Sequence, residues 1–346
     1  MDIYNLLDNL PPFKDEEILK SFVKGAAIIN NRGYNSILCS ISGGSDSDIV
    51  LDIIHRIDFD KQVKYVWFDT GLEYEATKAH LKYLEDKYKI KIIREKAIKP
   101  IPTCCREYGQ PFLSKYISEM ISRLQKHNFK FEDKPLEQLL KEYPNCKSAL
   151  KWWCNAREIP KNGYSSLNIN SKKYLKEFLI LNPPKFKISS KCCDYAKKKV
   201  GKQIEKEFNA DLNIIGLRKS EGGIRSVRYK SCYSTNESKI DNYRPIFWYR
   251  EDTKVCYENA FNIVHSECYT KYGFKRTGCC CCPYARNLED ELEKTRIFEP
   301  KLYKAVCNVF KDSYEYTRKY REFVALMKLK EDKTQLAGQM DISDYL

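Results

Sequence analysis

The 346 residues contain no apolar run approaching the ~18–20 needed to cross a bilayer, so no membrane span is expected. The opening residues, MDIYNLLDNLPPFKDEE, lack the basic stretch and apolar core of a secretion signal. No internal repeat and no low-complexity tract is present. Histidine is scarce, four in all, and no two stand at metal-ligand spacing, so each is read as structural. The pattern G-x-x-x-x-G-K-[ST] is missing, which excludes a Walker A phosphate loop.

Cysteine is plentiful, at 15 residues. Without a secretion signal the expected location is a reducing cytoplasm, where disulfides are rare and clustered cysteines point to metal or redox roles. The odd count also rules out complete pairing. The formal net charge is +14. One reading is a solvated basic surface; the other is an anionic partner, such as a nucleotide, a nucleic acid (tRNA or DNA) or a sulfated metabolite. The excess is local: residues 171–207 hold 11 Lys against four acids.

Residues 1–35 have the apolar spacing of a helical lead-in. Residues 36–99 alternate strand and helix signals, with strands expected at 36–41, in QVKYVWFDTG and in IKIIRE, as in β-α-β units with a parallel sheet. Residues 100–190 show helical segments at 112–126, 135–142, 147–158 and 171–181, and read as a helical insertion. DLNIIGLR (211–218) restores the strand pattern, so 191–286 reads as the second part of the α/β core and carries a cysteine cluster. Residues 287–346 are charged and helical.

The stretch SISGGSDS (40–47) lies between an apolar strand and a helix. Free amides at a helix start favour negative charge, and glycines let the backbone approach a ligand closely. Ser42, Ser45 and Ser47 add hydroxyls to Gly43 and Gly44. Asp46 would repel a bare phosphate but suits a site where Mg²⁺ lies between carboxylate and phosphate. The plainer alternative is a Ser/Asp helix cap after a glycine turn. Arg218, Arg225 and Arg228 have guanidinium forks suited to phosphate or sulfate, and Arg218 follows a strand; the alternative is an exposed basic loop.

S-G-G-x-D-S after a first strand resembles the signature of the PP-loop ATP pyrophosphatases. FDTGLEYEAT resembles the D-T-G-x-x-x-x-E-T segment of the phosphoadenosine phosphosulfate (PAPS) reductases, with Asp69, Thr70, Gly71 and Thr77 matching and Ala76 in place of the acid. KISSKCCDYAKKK, IIGLRKSEGGIRS, YRPIFWYREDTKVCYENA and CYTKYGFKRTGCCCCPYAR resemble further segments of that family in the same order, across 36–285. EYGQPFLSK (107–115) resembles a segment of PAPS reductase-like relatives. The resemblance implies a Rossmann-like, doubly wound, mostly parallel α/β sheet with a helical insertion and a C-terminal cysteine-rich helical region. It also implies a nucleotide held by residues 42–47 with Asp69, Thr70, Gly71 and the arginines. ATP would be cleaved between its α and β phosphates, with Asp46, Ser47 and Arg218 as the catalytic candidates.

In the sulfonucleotide reductases a C-C…C-x-x-C set holds a [4Fe–4S] cluster, which here selects Cys192, Cys193, Cys279 and Cys282, with Cys268 as the alternative ligand. Sulfur ligands also suit Zn²⁺, but an adjacent pair fits separate irons better than one tetrahedral ion. Cys104 and Cys105 read as buried small apolar residues, and Cys39 as core. The reductases' E-C-G-[LI]-H segment, which carries their nucleophile, does not occur. The expected activity is therefore ATP-dependent adenylation of a substrate for sulfur transfer, with nucleic acid or a sulfur-donor protein as partner. The alternatives are a PAPS or adenosine phosphosulfate reductase and a non-catalytic nucleotide- or nucleic-acid-binding protein.

Overall fold

The computed structural model describes residues 3–158, 167–222, 229–235 and 240–343, with side chains described as far as 332. Six strands form one sheet: β1 (Ile37–Ser40), β2 (Val63–Asp69), β3 (Ile92–Lys96), β4 (Leu212–Ile215), β5 (Tyr233–Ser234) and β6 (Asp241–Tyr243). Their order is β3-β2-β1-β4-β6-β5, and every pairing is parallel except β5 with β6.

Among the described residues the main helices are α1 (Ile3–Asp8), α2 (Glu16–Asn31), α3 (Ser45–Ile57), α4 (Glu75–Tyr88), α5 (Ile101–Tyr108), α6 (Lys115–Lys126), α7 (Leu136–Glu142), α8 (Lys147–Trp153), α9 (Leu175–Leu181), α10 (Lys199–Glu207), α11 (Glu251–Ala260), α12 (Leu288–Phe298), α13 (Pro300–Val309) and α14 (Lys311–Ser343). None of the described helices is long and apolar enough to span a membrane.

The chain folds into two compact units. The first comprises 1–101, 194–280 and 293–302; the second comprises 102–193, 281–292 and 303–346. The first unit holds the sheet. Successive side chains of β1 point to opposite faces. Ile37 and Cys39 enter a core with Ile18, Phe22 and Ile29 of α2, Ile49 and Ile53 of α3 and Tyr257 of α11. Leu38 faces the other layer, against Val66 of β2 and Val200 and Ile204 of α10. Helices thus cover both faces, which is why β1 is buried on successive residues rather than alternating. Asp15 starts α2 by accepting a hydrogen bond from the Glu17 amide at 2.9 Å.

In the second unit the helical residues do not stand alone. The aromatic side chains of α14 complete their core: Tyr316, Tyr320 and Phe323 pack on Phe178 of α9, with ring centroids 5.0–5.6 Å apart. Leu150, Trp152 and Trp153 of α8 lie in the same core.

The α/β class agrees with the sequence reading, and the differences are local. β5 and β6 have no sequence signal, because two- and three-residue strands are too short to show a period. The helix expected over 147–158 stops at Trp153, and Asn155 takes a left-handed conformation (φ 55°) that ends it. The helix expected from 171 starts at Leu175, after Tyr174 in the same conformation (φ 63°).

Candidate functional site

The sheet order reverses at β1. β2 and β3 lie on one side, and the chain returns on the other side as β4. In open α/β sheets the crevice at the carboxyl ends of such strands binds ligands. Residues 41–44 follow β1 there, and Gly216, Leu217 and Arg218 follow β4.

The loop is built for close backbone approach. Gly43 has φ +70°, and a Cβ there would lie 2.7 Å from Thr77 Cγ2. A Cβ on Gly44 would meet Ser42 Oγ, Tyr269 Oη and Thr277 Oγ1, each at 3.2 Å. The Ser47 hydroxyl faces into the turn: it donates to the Gly44 carbonyl at 2.8 Å and accepts from the Gly44 amide at 3.1 Å. Ser42 Oγ donates to Ser47 Oγ at 3.2 Å. The Ser45 amide donates to Tyr269 Oη at 3.1 Å. Ser42 and Ser47 therefore shape the loop, and α3 begins immediately behind it, with the Gly44 and Ser45 amides held by Ser47 Oγ and Tyr269 Oη.

Asp46 lies between two cations. Arg218 Nε is 3.0 Å from Oδ2, and Lys254 Nζ is 3.2 Å from Oδ1. Burial pushes its carboxyl up, but Lys254 and Arg218 overcome this and hold it below the usual carboxylate range. Arg218 also pairs with Glu251 at 2.8 Å, and Lys254 donates to Ser45 Oγ at 2.7 Å. Asp69, Thr70 and Gly71 form the turn at the carboxyl end of β2. The Gly71 amide donates to Asp69 Oδ1 at 2.9 Å, and Thr70 Oγ1 donates to Glu73 at 2.5 Å. Gly71 takes φ +83°. Arg225 and Arg228 lie outside the described residues.

The sequence reading missed a row of charges beneath the loop. Glu251, Lys254 and Glu258 recur at i, i+3 and i+7 and so share one face of α11. Lys254 Nζ is 3.7 Å from Glu258, and Glu258 Oε1 is 2.9 Å from His265 Nε2. His265 Nδ1 is 2.8 Å from Asp48, and His80 Nε2 is 3.0 Å from the other Asp48 oxygen. His80 and His265 thus flank one buried carboxylate.

Burial pulls the His265 imidazole down, but Asp48 and Glu258 outweigh it and push it up to about 9. Its folded value lies above the ordinary ~6.5. Its stabilisation is therefore complete below about pH 6.5 and is lost as pH rises through about 9. The imidazole resonances should titrate near 9, and denaturant stability should decline over that window by up to about 3 kcal/mol. His265→Gln should flatten the decline, whereas a midpoint near 6.5 would contradict the network.

The second unit gathers sulfur. Cys192 and Cys193 end a single helical turn, Lys191–Cys193, and Asp194–Lys198 then winds as a π-helix, a form frequent at functional sites. The thiols of Cys105, Cys193 and Cys282 are the neighbours that act on the Cys192 thiol. Cys105 beside it, with burial, holds Cys192 protonated well above the ordinary thiol range. Tyr284 borders the same group; burial and the thiols of Cys193, Cys192 and Cys282 push its phenol up.

Cys281 sits in a left-handed conformation (φ 45°), with its carbonyl accepting from Tyr314 Oη at 2.6 Å and its thiol donating to the Glu291 carbonyl at 3.6 Å. That turn orients Cys282 beside it. Cys105, read from sequence as inert core, thus joins the sulfur group. Cys279 and Cys268 belong to the first unit, where Cys268 is buried with its thiol 3.7 Å from Thr77 Oγ1.

The model of the phosphoadenosine phosphosulfate reductase domain family matches residues 36–285. The chain belongs to this family. An uncharacterized protein of Methanocaldococcus jannaschii is 25% identical over 311 residues, covering 88% of this chain and 48% of that protein, so the chain spans about half the length of the curated relative it matches.

Among solved structures, a PAPS reductase from Candida auris aligns at 12% identity and a TM-score of 0.40, covering 78% of this chain and 96% of that one. The U34-tRNA thiolase NcsA from Methanococcus maripaludis, solved with its [4Fe–4S] cluster, aligns at 13% and 0.37, covering 90% and 82%. The FMN adenylyltransferase from Candida glabrata aligns at 10% and 0.40, covering 80% and 68%.

Two groups implied by the family can be tested against the residues present. Asp46 Oδ1 is buried and no hydrogen bond is aligned on it, although Lys254 is near. A hard carboxylate oxygen suits Mg²⁺, which takes most of its ligands from water and phosphate, but Mg²⁺ on Oδ1 would have to displace the Lys254 ammonium at 3.2 Å. For the sulfur group, no set of three or more His, Cys, Asp or Glu among the described residues is arranged around a single ion. The donors of the second unit, Cys105, Cys192, Cys193 and Cys282, are all soft thiols, which suits the separate irons of a cluster.

Proposed function

We propose that the protein uses ATP to adenylate an acceptor oxygen and then replaces that oxygen with sulfur. The observation that carries this reading is Asp46, a carboxylate within a phosphate-cradling turn and held there by Arg218 and Lys254. An acid in such a turn is unfavourable for a bare phosphate. It becomes useful where phosphate, carboxylate and cations neutralise one another.

The amides of Gly43 and Asp46, with those of Gly44 and Ser45 exchanging Ser47 Oγ and Tyr269 Oη for phosphate oxygens, would bind the phosphates, and Asp46 would contribute to Mg²⁺. The acceptor oxygen attacks the α-phosphorus, an O–P bond forms, and pyrophosphate leaves with the α–β bridging oxygen. Hydrosulfide-level sulfur then attacks the acceptor carbon, and AMP leaves with the original oxygen. Arg218 and Lys254 would neutralise the charge developing on the phosphates, and fixed positioning supplies much of the rate. An iron–sulfur cluster on the second unit's Cys105, Cys192, Cys193 and Cys282 would hold sulfur for transfer.

The test is product analysis with Mg²⁺ and labelled ATP. The expected products are AMP and pyrophosphate, and PAPS with reduced thioredoxin should give no sulfite. ADP and phosphate would contradict the proposal, and sulfite release would establish the reductase instead.

A further inference from the structure

The amide that opens α3 is already taken. Ser45 N–H donates to Tyr269 Oη at 3.1 Å, and Tyr269 Oη shares a hydrogen bond of 2.9 Å with Thr277 Oγ1. Both hydroxyls, with that of Ser42, lie 3.2 Å from where a Cβ on Gly44 would stand. Amides at a helix start suit an anion. Here a neutral oxygen, from a residue 224 positions further along the chain, stands where a phosphate oxygen would.

The backbone that carries Tyr269 is anchored. Ser266 Oγ accepts from the Cys268 amide at 3.2 Å and donates to the Ala76 carbonyl of α4 at 3.2 Å, and the buried Cys268 thiol is 3.7 Å from Thr77 Oγ1. These contacts fix the helical turn Glu267–Thr270. The Tyr269 side chain itself is only half-buried, with its ring centroid 5.7 Å from that of His265. A change of its rotamer frees the Ser45 amide without moving the turn. Thr277, its partner, leads directly to cysteines. Residues 277–280 are tied at one end by Thr277 to Tyr269, and at the other by the Cys280 amide, which donates to the Leu72 carbonyl at 2.9 Å. Leu72 follows the Asp69–Thr70–Gly71 turn, so both ends of this segment hang on the strand-end loops of the phosphate site.

We propose that Tyr269 is a latch on the phosphate turn, which rests on the reading that residues 42–47 receive the phosphates of ATP. In the empty site its hydroxyl caps the Ser45 amide. An arriving phosphate oxygen displaces it, Thr277 loses its anchor, and residues 277–280 loosen. Nucleotide occupancy and the freedom of the segment bearing Cys279 are then one equilibrium. A ligand shifts such an equilibrium through its differential affinity for the two states, and phosphate reaches the Ser45 amide in the unlatched state alone. Its apparent affinity is reduced by the latched fraction, so removing the hydroxyl raises it. The cysteine segment is held while the site is empty and released once ATP is in place.

The experiment combines equilibrium binding of an ATP analogue blocked between the α and β phosphates, with Mg²⁺, and amide hydrogen exchange of the full chain. In the wild type the analogue should slow exchange at 42–47 and speed it at 275–281, opposite signs in one measurement. Tyr269→Phe keeps the ring beside His265 and removes only the hydroxyl, and an unchanged melting temperature verifies its fold. It should bind the analogue about three- to tenfold more tightly, the span of one ordinary hydrogen bond. Without analogue, its 275–281 segment should exchange as fast as that of the loaded wild type. Thr277→Val should speed the same segment while binding the analogue as the wild type does, because Tyr269 still caps Ser45. Equal or weaker binding by Tyr269→Phe would overturn the latch, as would slowed exchange at 275–281 in the loaded wild type. Failure of the wild type to bind the analogue at all would instead overturn the phosphate reading, and the latch with it.

Discussion

Asp46→Asn should reduce ATP turnover by about 10²-fold or more while leaving ATP affinity unchanged or tighter. The split follows from the partners of the carboxylate. Arg218 retains Glu251 at 2.8 Å and Lys254 retains Glu258 at 3.7 Å, so the substitution leaves neither cation without an acid and the fold should persist. Two positive charges then face the phosphates without the aspartate opposing them, which favours ground-state binding. What is lost is the oxygen that would share Mg²⁺ with the substrate. Parallel kcat and equilibrium ATP-binding measurements check this. Turnover within a few-fold of wild type would remove Asp46 from the chemistry, and lost affinity with normal kcat would make it a binding group only.

Gly109→Ala should destabilise the second unit by more than about 3 kcal/mol, lowering its melting temperature by roughly 6–12 °C. Gly109 has φ +107°, and a Cβ there would lie 2.2 Å from the Lys187 carbonyl oxygen. Rigid backbone cannot rotate away as a side-chain tip can. The same carbonyl accepts from the Gln110 amide at 2.8 Å, and the Ser189 amide donates to the Gln110 carbonyl at 2.9 Å. This clamp fixes the segment that leads into Cys192. Gln110 Oε1 also accepts from the Ser313 amide at 2.9 Å, tying the start of α14 to the same point. The variant should therefore also expose thiols to alkylation faster. An unchanged melting temperature and labelling rate would show that the EYGQPFLSK segment carries no such constraint.

The parts legible in sequence were those encoded locally. The 42–47 loop announces itself through two glycines and four polar residues between a strand and a helix, and Arg218 through its place after a strand. The charge row beneath the loop was not legible in the same way. Asp48 meets His265, 217 residues away, and Lys254 meets Ser45, 209 residues away. The i, i+3, i+7 recurrence of Glu251, Lys254 and Glu258 was present, but a charged helix face ordinarily means solvent, and only the fold buries Lys254 within this one. Cys105 illustrates the same limit. Its burial was anticipated, but its approach to Cys192 across 87 residues depends on tertiary packing that no spacing rule encodes.

The central claim is that the turn at residues 42–47 receives the phosphates of ATP. A crystal structure with Mg²⁺ and an ATP analogue blocked between the α and β phosphates tests it most directly. Phosphate oxygens should lie within hydrogen-bond distance of the amides of residues 43–46, with Arg218 or Lys254 in contact. A saturated crystal with the nucleotide bound elsewhere, or with that turn empty, would contradict the account.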